Sequence, residues 1–496
     1  MFPLYTIAAL RTWEQTARPT LPLMEQAGRA AAVLAGQLTG GNPHPVLILA
    51  GPGNNGGDAL VLARHLRHAG QAVVVVLTGS PDRFPNDAKM AWEAWTAAGG
   101  ACLTALPDGQ FSLIVDGLFG IGLSRPPEER VAQLIEWINA QCAPVLSLDI
   151  PSGLCSDTGT AFSPCVRAQH TISFLGHKPG FFTADGPDHV GQLHLAALDT
   201  GIEAPLPSGS LLQEIDVATH FKPRRRNSHK GSFGSLGILG GSSGMAGAAL
   251  LAGRAALHCG AGRVYLGMLE DRLPLDAQQP ELMLRPAFAL RGTALDAVVA
   301  GPGLGQSGTA RELLAQCLQA NHPLLLDADA LNIVANSEAT RALLSQRSAP
   351  LLLTPHPAEA ARLLQCNTVA VQQDRIAAAS TLAQQFNAHV VLKGAGSVIA
   401  HPDGTWCINP TGNPGLASAG TGDVLSGIIG SLLAQGLDAG AACEAGVYLH
   451  GAAADELVAS GAGPIGLTAS ELLPAVRHII NRWSRLAEPQ RSLCNS

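Results

Sequence analysis

Short runs of uninterrupted apolar residues alternate with amphipathic stretches along almost the whole chain, and this constrains the fold more than any other feature. "PVLILA" ends at Ala50 and "GDALVLARHLRHAG" follows, with apolar residues at helical spacing and a glycine stop at Gly70. "AVVVVLTG", a helix around residues 89–98, "FSLIVD" ending at Asp116, the amphipathic "PEERVAQLIEWINA" and "PVLSLDI" continue the rhythm, and "TISFLG" and "VGQLHLAAL" close it. Strands that are apolar on both faces and separated by helices form a parallel sheet covered on both sides. After a Pro-, Ser- and basic-rich stretch at 204–226, a second alternation starts at "GSLGILGG". It runs through "GRVYLGM", "LDAVVAG", "HPLLLDADAL", "APLLLTPHP" and "HVVLKGAGSVIA" to long helices after Gly422 and Gly440 and a last one from Thr468. A chain of 496 residues exceeds one core. The expectation is α/β throughout: a Rossmann-like three-layer N-terminal domain over 1–210, a linker at 211–224, a second α/β domain over 225–485 and a tail at 486–496.

Charge and cysteines narrow the function classes. A net charge of −7 gives no global case for nucleic acid, and "PRRR" at 223–226 reads as a solvated end. The ten cysteines form no C-x-x-C pair, so they read as small buried residues in a reducing cytoplasm. No signal-peptide pattern and no bilayer-length apolar run are present, so no membrane partner is expected.

"AGPGNNGGDAL" places Gly51, Gly53 and Gly56 in a G-x-G-x-x-G after the first strand. A dehydrogenase would place an acidic residue about 20 positions on, to hold a ribose. That stretch reads "QAVVVVLTGS", which lacks one. Ligands of open α/β sheets sit beyond the carboxyl ends of strands, and the polar residues there are Asn54, Asn55, Asp58, Asp116, Asp149 and Ser152. Asn55, Asp116 and Ser152 with nearby carbonyls make an all-oxygen set suited to a hard monovalent cation. Any one of them could simply cap a loop, but all three on one sheet edge are poorly explained that way.

"GPGNNGGDALVLARHL", "DGLFGIGLSRP" and "LDIPSGL" resemble the epimerase domain of NAD(P)H-hydrate repair enzymes, with "LPLMEQAGRAAA" as its opening helix. The resemblance implies a potassium ion on Asn55, Asp116 and Ser152. It implies substrate contacts at Asn54, Asn55, Gly56, Gly57, Asp58, Gly120, Ile121, Gly122, Leu123, Ser124, Arg125, Pro126 and Asp149. The family's Gly-Asp-Gly is Gly57-Asp58-Ala59 here. Asp149 is the candidate acid/base for opening and re-closing the C6–O bond, with ribose binding as its other reading.

The richest motif is "NPTGNPGLASAGTGDVLSGIIGSLLAQG" at 409–436. Glycines that let the backbone wrap an anion lead into a helix N-terminus, which supplies N–H donors and a positive dipole. Asp423 at that terminus is a cap or a base; the dipole lowers its pKa, and a neighbouring phosphate pushes the other way. The segment resembles the anion hole of ribokinase-like kinases. With "GSSGMAGA", "GPGLG", "DADALN", "TPHPAEAARLL" and "KGAGS" it resembles ADP-dependent NAD(P)H-hydrate dehydratases.

That second resemblance implies hydrate contacts at Ala248, Gly303, His356 and Asp423. It implies adenine-nucleotide contacts at Lys393, Gly394, Ala395, Gly396, Ser397 and Gly422. Asp423 would deprotonate the C6 hydroxyl, ADP would phosphorylate it with magnesium present, and phosphate would leave. Asp327 and Asp329 are left between a magnesium-bound phosphate and a turn cap. The partners implied are the hydrates of NADH and NADPH, in a cytoplasmic homo-oligomer. The alternatives are a ribokinase-like small-molecule kinase and a non-catalytic sensor of NAD-like ligands.

Overall fold

The computed structural model describes residues 1–486 except Ser124, Asp271 and Arg272, and it divides into two compact units, Pro3–Ser210 and the chain from Leu211 together with Met1–Phe2. The expected tail therefore lies outside the described residues from 487 on.

In the first unit seven strands form one parallel sheet in the order Cys102–Leu103, Val73–Leu77, Val46–Ala50, Leu113–Gly117, Val145–Leu148, His170–Phe174 and Gln192–Ala196. Val46–Ala50 is buried at every position, as a central parallel strand must be. Its side chains alternate. Val46, Ile48 and Ala50 join the core under helices Leu23–Thr39, Asn54–His68 and Asn86–Ala97. Leu47 and Leu49 join Ile135 and Ile138 of helix Glu129–Asn139 on the other face. The strand order reverses between Val46–Ala50 and Leu113–Gly117, which opens a crevice beyond Ala50 and Gly117.

The second unit repeats this logic. Its parallel strands run Met283–Pro286, Arg263–Met268, Ser235–Gly240, Ala297–Ala300, Leu324–Leu326, Leu351–Leu353 and His389–Leu392. The antiparallel hairpin Val398–Ala400 and Trp406–Ile408 continues the sheet. The reversal falls between Ser235–Gly240 and Ala297–Ala300. Helix Thr421–Ala434 packs against Ala246–His258 so closely that a Cβ on Gly427 would lie 2.1 Å from the Ala252 carbonyl oxygen.

Two expectations are corrected. The stretch 211–224 is not a linker: Leu212, Val217 and Phe221 are buried in the core of the second unit, and Phe221 packs on Trp483 at 5.3 Å between ring centroids. Three apolar anchors outweigh the polar composition around them. The cysteines are not uniformly buried either, because Cys142 and Cys366 are exposed. Among the "PRRR" residues Arg224 is docked, with its guanidinium 3.7 Å from the Phe233 ring and hydrogen-bonded to the Gly260 carbonyl.

Candidate active sites

The crevice of the first unit holds a cavity of about 520 Å³, within the range of small-molecule sites. Helix Asn54–His68 starts at its edge and supplies Asn54, Asn55 and Asp58, and the loop after Leu113–Gly117 supplies Phe119 to Leu123. Asp149 follows strand Val145–Leu148 with φ 63°, a left-handed conformation unusual outside glycine. That turn aims its carboxylate at two donors. The Ile121 amide donates to Oδ2 at 3.2 Å, and the fully buried Lys178 donates to Oδ1 at 2.5 Å. Lys178 also donates to Ser173 Oγ at 2.8 Å. Asp58 is held well above the usual carboxylate range by burial and by the neighbouring charges of Asp149 and Glu14.

Beneath the cavity floor lies a polar cluster. Asp116, fully buried, accepts hydrogen bonds from Ser147 Oγ (2.8 Å), Ser152 N (2.9 Å), Ser152 Oγ (2.6 Å) and Leu118 N (3.3 Å). Asn55 Nδ2 donates to the Phe119 carbonyl at 2.9 Å, while its buried Oδ1 has no hydrogen-bond partner. Ser152 Oγ accepts from the Phe119 amide at 2.9 Å. A buried amide oxygen left bare costs roughly 1–3 kcal/mol, so its retention points to an occupant that the protein itself does not supply.

In the second unit Asp423 stands in the first turn of Thr421–Ala434, whose N-cap is Gly420 with φ 89° and which takes no side-chain cap. Burial, then the charge of Asp327, pushes the Asp423 carboxyl up to about 6, against the pull of Lys393. Burial and the Asp327 charge thus act against the lowering that a helix N-terminus gives. Lys393 Nζ donates to Asp327 Oδ1 at 2.8 Å, and Ser426 Oγ donates to Asp327 Oδ2 at 2.7 Å. Burial pulls the Lys393 ammonium down, but Asp327, Glu359 and Asp423 more than offset it and hold it above its ordinary range. A Cβ on Gly422 would lie 3.5 Å from Lys393 Nζ, so the ammonium faces the glycine turn. Asp329 Oδ2 accepts from the Gly305 amide at 2.8 Å. Gly303 has φ 58°, and a Cβ there would lie 2.4 Å from the Met245 carbonyl oxygen and 3.2 Å from Ala248 Cβ. His356 caps helix Pro357–Leu364 through Nδ1, and its Nε2 is 3.3 Å from Glu359 Oε1.

Both units also match known proteins. The dehydratase family model (NAD(P)H-hydrate dehydratase) matches residues 236–476, and the YjeF-related protein N-terminus matches residues 20–180. The bifunctional NAD(P)H-hydrate repair enzyme Nnr of Escherichia coli (strain K12) is 42% identical over 88% of this chain and 85% of its own. The chain belongs to the family of bifunctional NAD(P)H-hydrate repair enzymes. Nnr of Vibrio cholerae serotype O1 is 38% identical over 96% of this chain and 98% of its own. Among solved structures, the ADP/ATP-dependent NAD(P)H-hydrate dehydratase of Bacillus subtilis, co-crystallised with ATP and Mg2+, is 33% identical with a TM-score of 0.50. It covers 55% of this chain and 99% of its own. The second unit therefore has the ribokinase-like dehydratase fold.

In this repair-enzyme chain, Asn54, Asn55, Asp58, Gly120 to Leu123, Arg125 and Asp149 line the first cavity. Gly56, Gly57 and Pro126 do not. A Cβ on Gly56 would lie 2.0 Å from the Gly51 carbonyl oxygen and one on Gly57 2.7 Å from Met24, so neither position has room for a side chain. Ser124 lies outside the described residues. Ala59 takes the room of an absent side chain, since a Cβ on Gly117 would lie 2.6 Å from Ala59 Cβ.

Two residues escaped the sequence reading. Lys178, in "GHKPG", carries no local pattern that marks it as Asp149's partner. His450, in helix Ala439–Ala459, looks like core. It is buried, held neutral with its pKa lowered to about 4 by desolvation, against a bond to the Thr421 backbone, and its Nε2 has no hydrogen-bond partner.

Proposed function

We propose that the chain repairs hydrated NADH and NADPH: the first unit interconverts the R and S hydrates, and the second dehydrates the S form at the expense of ADP, giving AMP and phosphate. The observation that carries this is Asp423, a buried carboxylate with its pKa raised to about 6, at a glycine-rich helix N-terminus beside Lys393. A group of that pKa is largely ionised at neutral pH and still takes a proton readily, which suits a general base.

In the second unit Asp423 removes the C6 hydroxyl proton of the hydrate. The hydroxyl oxygen attacks the terminal phosphorus of ADP, and the bond to AMP breaks. Lys393 and the amides of the Gly420–Gly422 turn hold the transferred charge. Phosphate is a far better leaving group than hydroxide. The ring-nitrogen lone pair expels it from C6, and loss of the C5 proton restores the reduced nicotinamide. Residues 393–397 bind the adenine nucleotide, and Ala248, Gly303 and His356 contact the hydrate. Magnesium would supply charge neutralisation on the nucleotide phosphates; Asp327 is held by Lys393 and Ser426, and Asp329, bonded to the Gly305 amide, would be the candidate to hold the ion.

In the first unit Asp149, oriented by Lys178 and the Ile121 amide, handles the proton as the C6–O bond opens and water returns on the other face. Asn55, Ser152 and Asp116 with the Phe119 carbonyl fit a potassium ion. The bare Asn55 Oδ1 supports this, and one carboxylate among neutral oxygens matches a monovalent charge. The cation would fix the loop after strand Leu113–Gly117. A cytoplasmic homo-oligomer is part of the same reading and rests on the family resemblance.

The test supplies a mixture of R and S hydrates with ADP and magnesium and follows the absorbance of regenerated NADH. Complete recovery, faster than spontaneous epimerisation allows, is the expected result. A halt at the S fraction removes the epimerase, and no recovery with ADP or ATP removes the dehydratase.

A further inference from the structure

The hairpin Val398–Ala400 and Trp406–Ile408 brings together four side chains that the repair chemistry does not use. His401 follows its first strand, Cys407 is buried in its second, His389 opens the neighbouring strand His389–Leu392, and Glu444 comes from helix Ala439–Ala459. His401 Nε2 lies 3.2 Å from Glu444 Oε1, and Cys407 Sγ lies 4.0 Å from the same oxygen. The three ligand-capable atoms are all within 4.8 Å of one another, a combination found nowhere else among the described residues. On its other edge His401 Nδ1 is 2.9 Å from His389 Nδ1. The two rings pack against Gly440, where a Cβ would stand in ordinary contact with them, 3.4 Å from His389 Cε1 and 3.5 Å from His401 Cε1.

We propose that His401, Cys407 and Glu444 bind a borderline divalent transition-metal ion of the zinc(II) class, with His389 as the positioning residue for His401. The donor set is one imidazole, one thiol and one carboxylate, the mixture that zinc takes in tetrahedral sites. Two of the three spacings, 3.2 and 4.0 Å, are close to the edges of such a tetrahedron. A metal-bound imidazole characteristically spends its second nitrogen on a hydrogen bond that fixes the ring, and His389 stands at that nitrogen. Without metal, His401 Nε2–H donates to Glu444 and His389 Nδ1–H donates to His401. With metal, Nε2 ligates, the Nδ1–Nδ1 bond reverses with the His389 proton moving to its Nε2, and the Cys407 thiol proton goes to solvent. Water fills the fourth position, because His401 is partly exposed.

The ion would tie the hairpin to the start of helix Ala439–Ala459. At the hairpin's other end the Asn409 amide donates to the Ser397 carbonyl at 2.9 Å, in the segment proposed to bind nucleotide. The site is thus a clamp behind the dehydratase crevice and not part of its chemistry.

Reduced, chelator-treated full-length protein titrated with Co2+ tests this. The expected result is one equivalent bound, a near-ultraviolet sulfur-to-cobalt charge-transfer band, four-coordinate visible bands, and displacement of both by Zn2+. Cys407→Ser should remove the charge-transfer band, Glu444→Gln should weaken binding without removing it, and His389→Ala should keep the band while weakening affinity about 10–100-fold. Dehydration turnover in Cys407→Ser serves as the check that the variant is folded. Absence of the band in wild-type protein, or its persistence in folded Cys407→Ser through Cys142 or Cys366, overturns the proposal.

Discussion

Lys178 Nζ rests 2.5 Å from Asp149 Oδ1, a contact between residues 29 positions apart, and the lysine side chain is fully excluded from solvent while the aspartate faces the cavity. The pair makes Asp149 a rigid group with one oxygen committed and one turned toward the Ile121 amide. Lys178→Met should therefore abolish R/S interconversion while leaving ADP-dependent dehydration of the S hydrate intact, measured separately by chiral separation of the hydrates and by NADH absorbance. Loss of one member of a buried pair costs roughly 3–5 kcal/mol, reduced here because Asp149 retains some solvent. Unchanged epimerisation in the variant would remove Lys178 from the site.

Dehydration should lose rate as pH falls through about 6, where Asp423 takes up its proton. Single-turnover rates between pH 5 and 8 should rise and then level off. A flat profile would make Asp423 a cap and not a base.

The same raised pKa carries a stability consequence. The folded chain disfavours the Asp423 charge relative to the unfolded chain, so stability contributed by the neutral form is present below the ordinary carboxylate value and lost as pH rises toward about 6. Asp423→Asn should abolish dehydration while raising the thermal midpoint by a few °C, the trade-off expected at an active site. A lowered midpoint would contradict it.

Epimerisation should depend on potassium through Asn55. In sodium-free buffer the wild-type rate should climb with K+ and saturate, and Asn55→Ala should require at least tenfold more K+ for half-activation. Equal K+ dependence in both proteins would move the cation elsewhere.

Gly117→Ala should destabilise the first unit by about 1–3 kcal/mol, because its Cβ would meet Ala59 Cβ at 2.6 Å. Ala59→Gly alone should cost about 1 kcal/mol as a helix-interior glycine. The double variant should be more stable than the sum of the two, with incomplete rescue since the Leu49 carbonyl oxygen lies 3.1 Å from the same position. Simple additivity in denaturant midpoints would show that the two positions do not compete for space.

Strand ends and glycine turns were legible in the sequence because they are local. The apolar run before Gly51 and the Gly-Thr-Gly before Asp423 mark where strands stop and helices start, and the parallel topology places those points along two crevices. The departures were not local. Residues 211–224 read as a linker on composition, yet Leu212, Val217 and Phe221 find a core. The close packing at Gly56 and Gly57, where a side chain would meet the Gly51 carbonyl and Met24, is equally a product of segments brought together by the fold.

What the sequence by itself determined is the two-unit α/β plan, the family, and the set of polar residues delivered to the strand ends. Periodicity and turn chemistry act within a few residues, so they are readable from the chain. What only the tertiary structure decided is which charges meet. Lys178 reaching Asp149, Lys393 reaching Asp327, and the burial that raises the Asp423 pKa all depend on distances and solvent exclusion between segments far apart in sequence. Coulomb and desolvation energies depend on those quantities, and no local pattern encodes them.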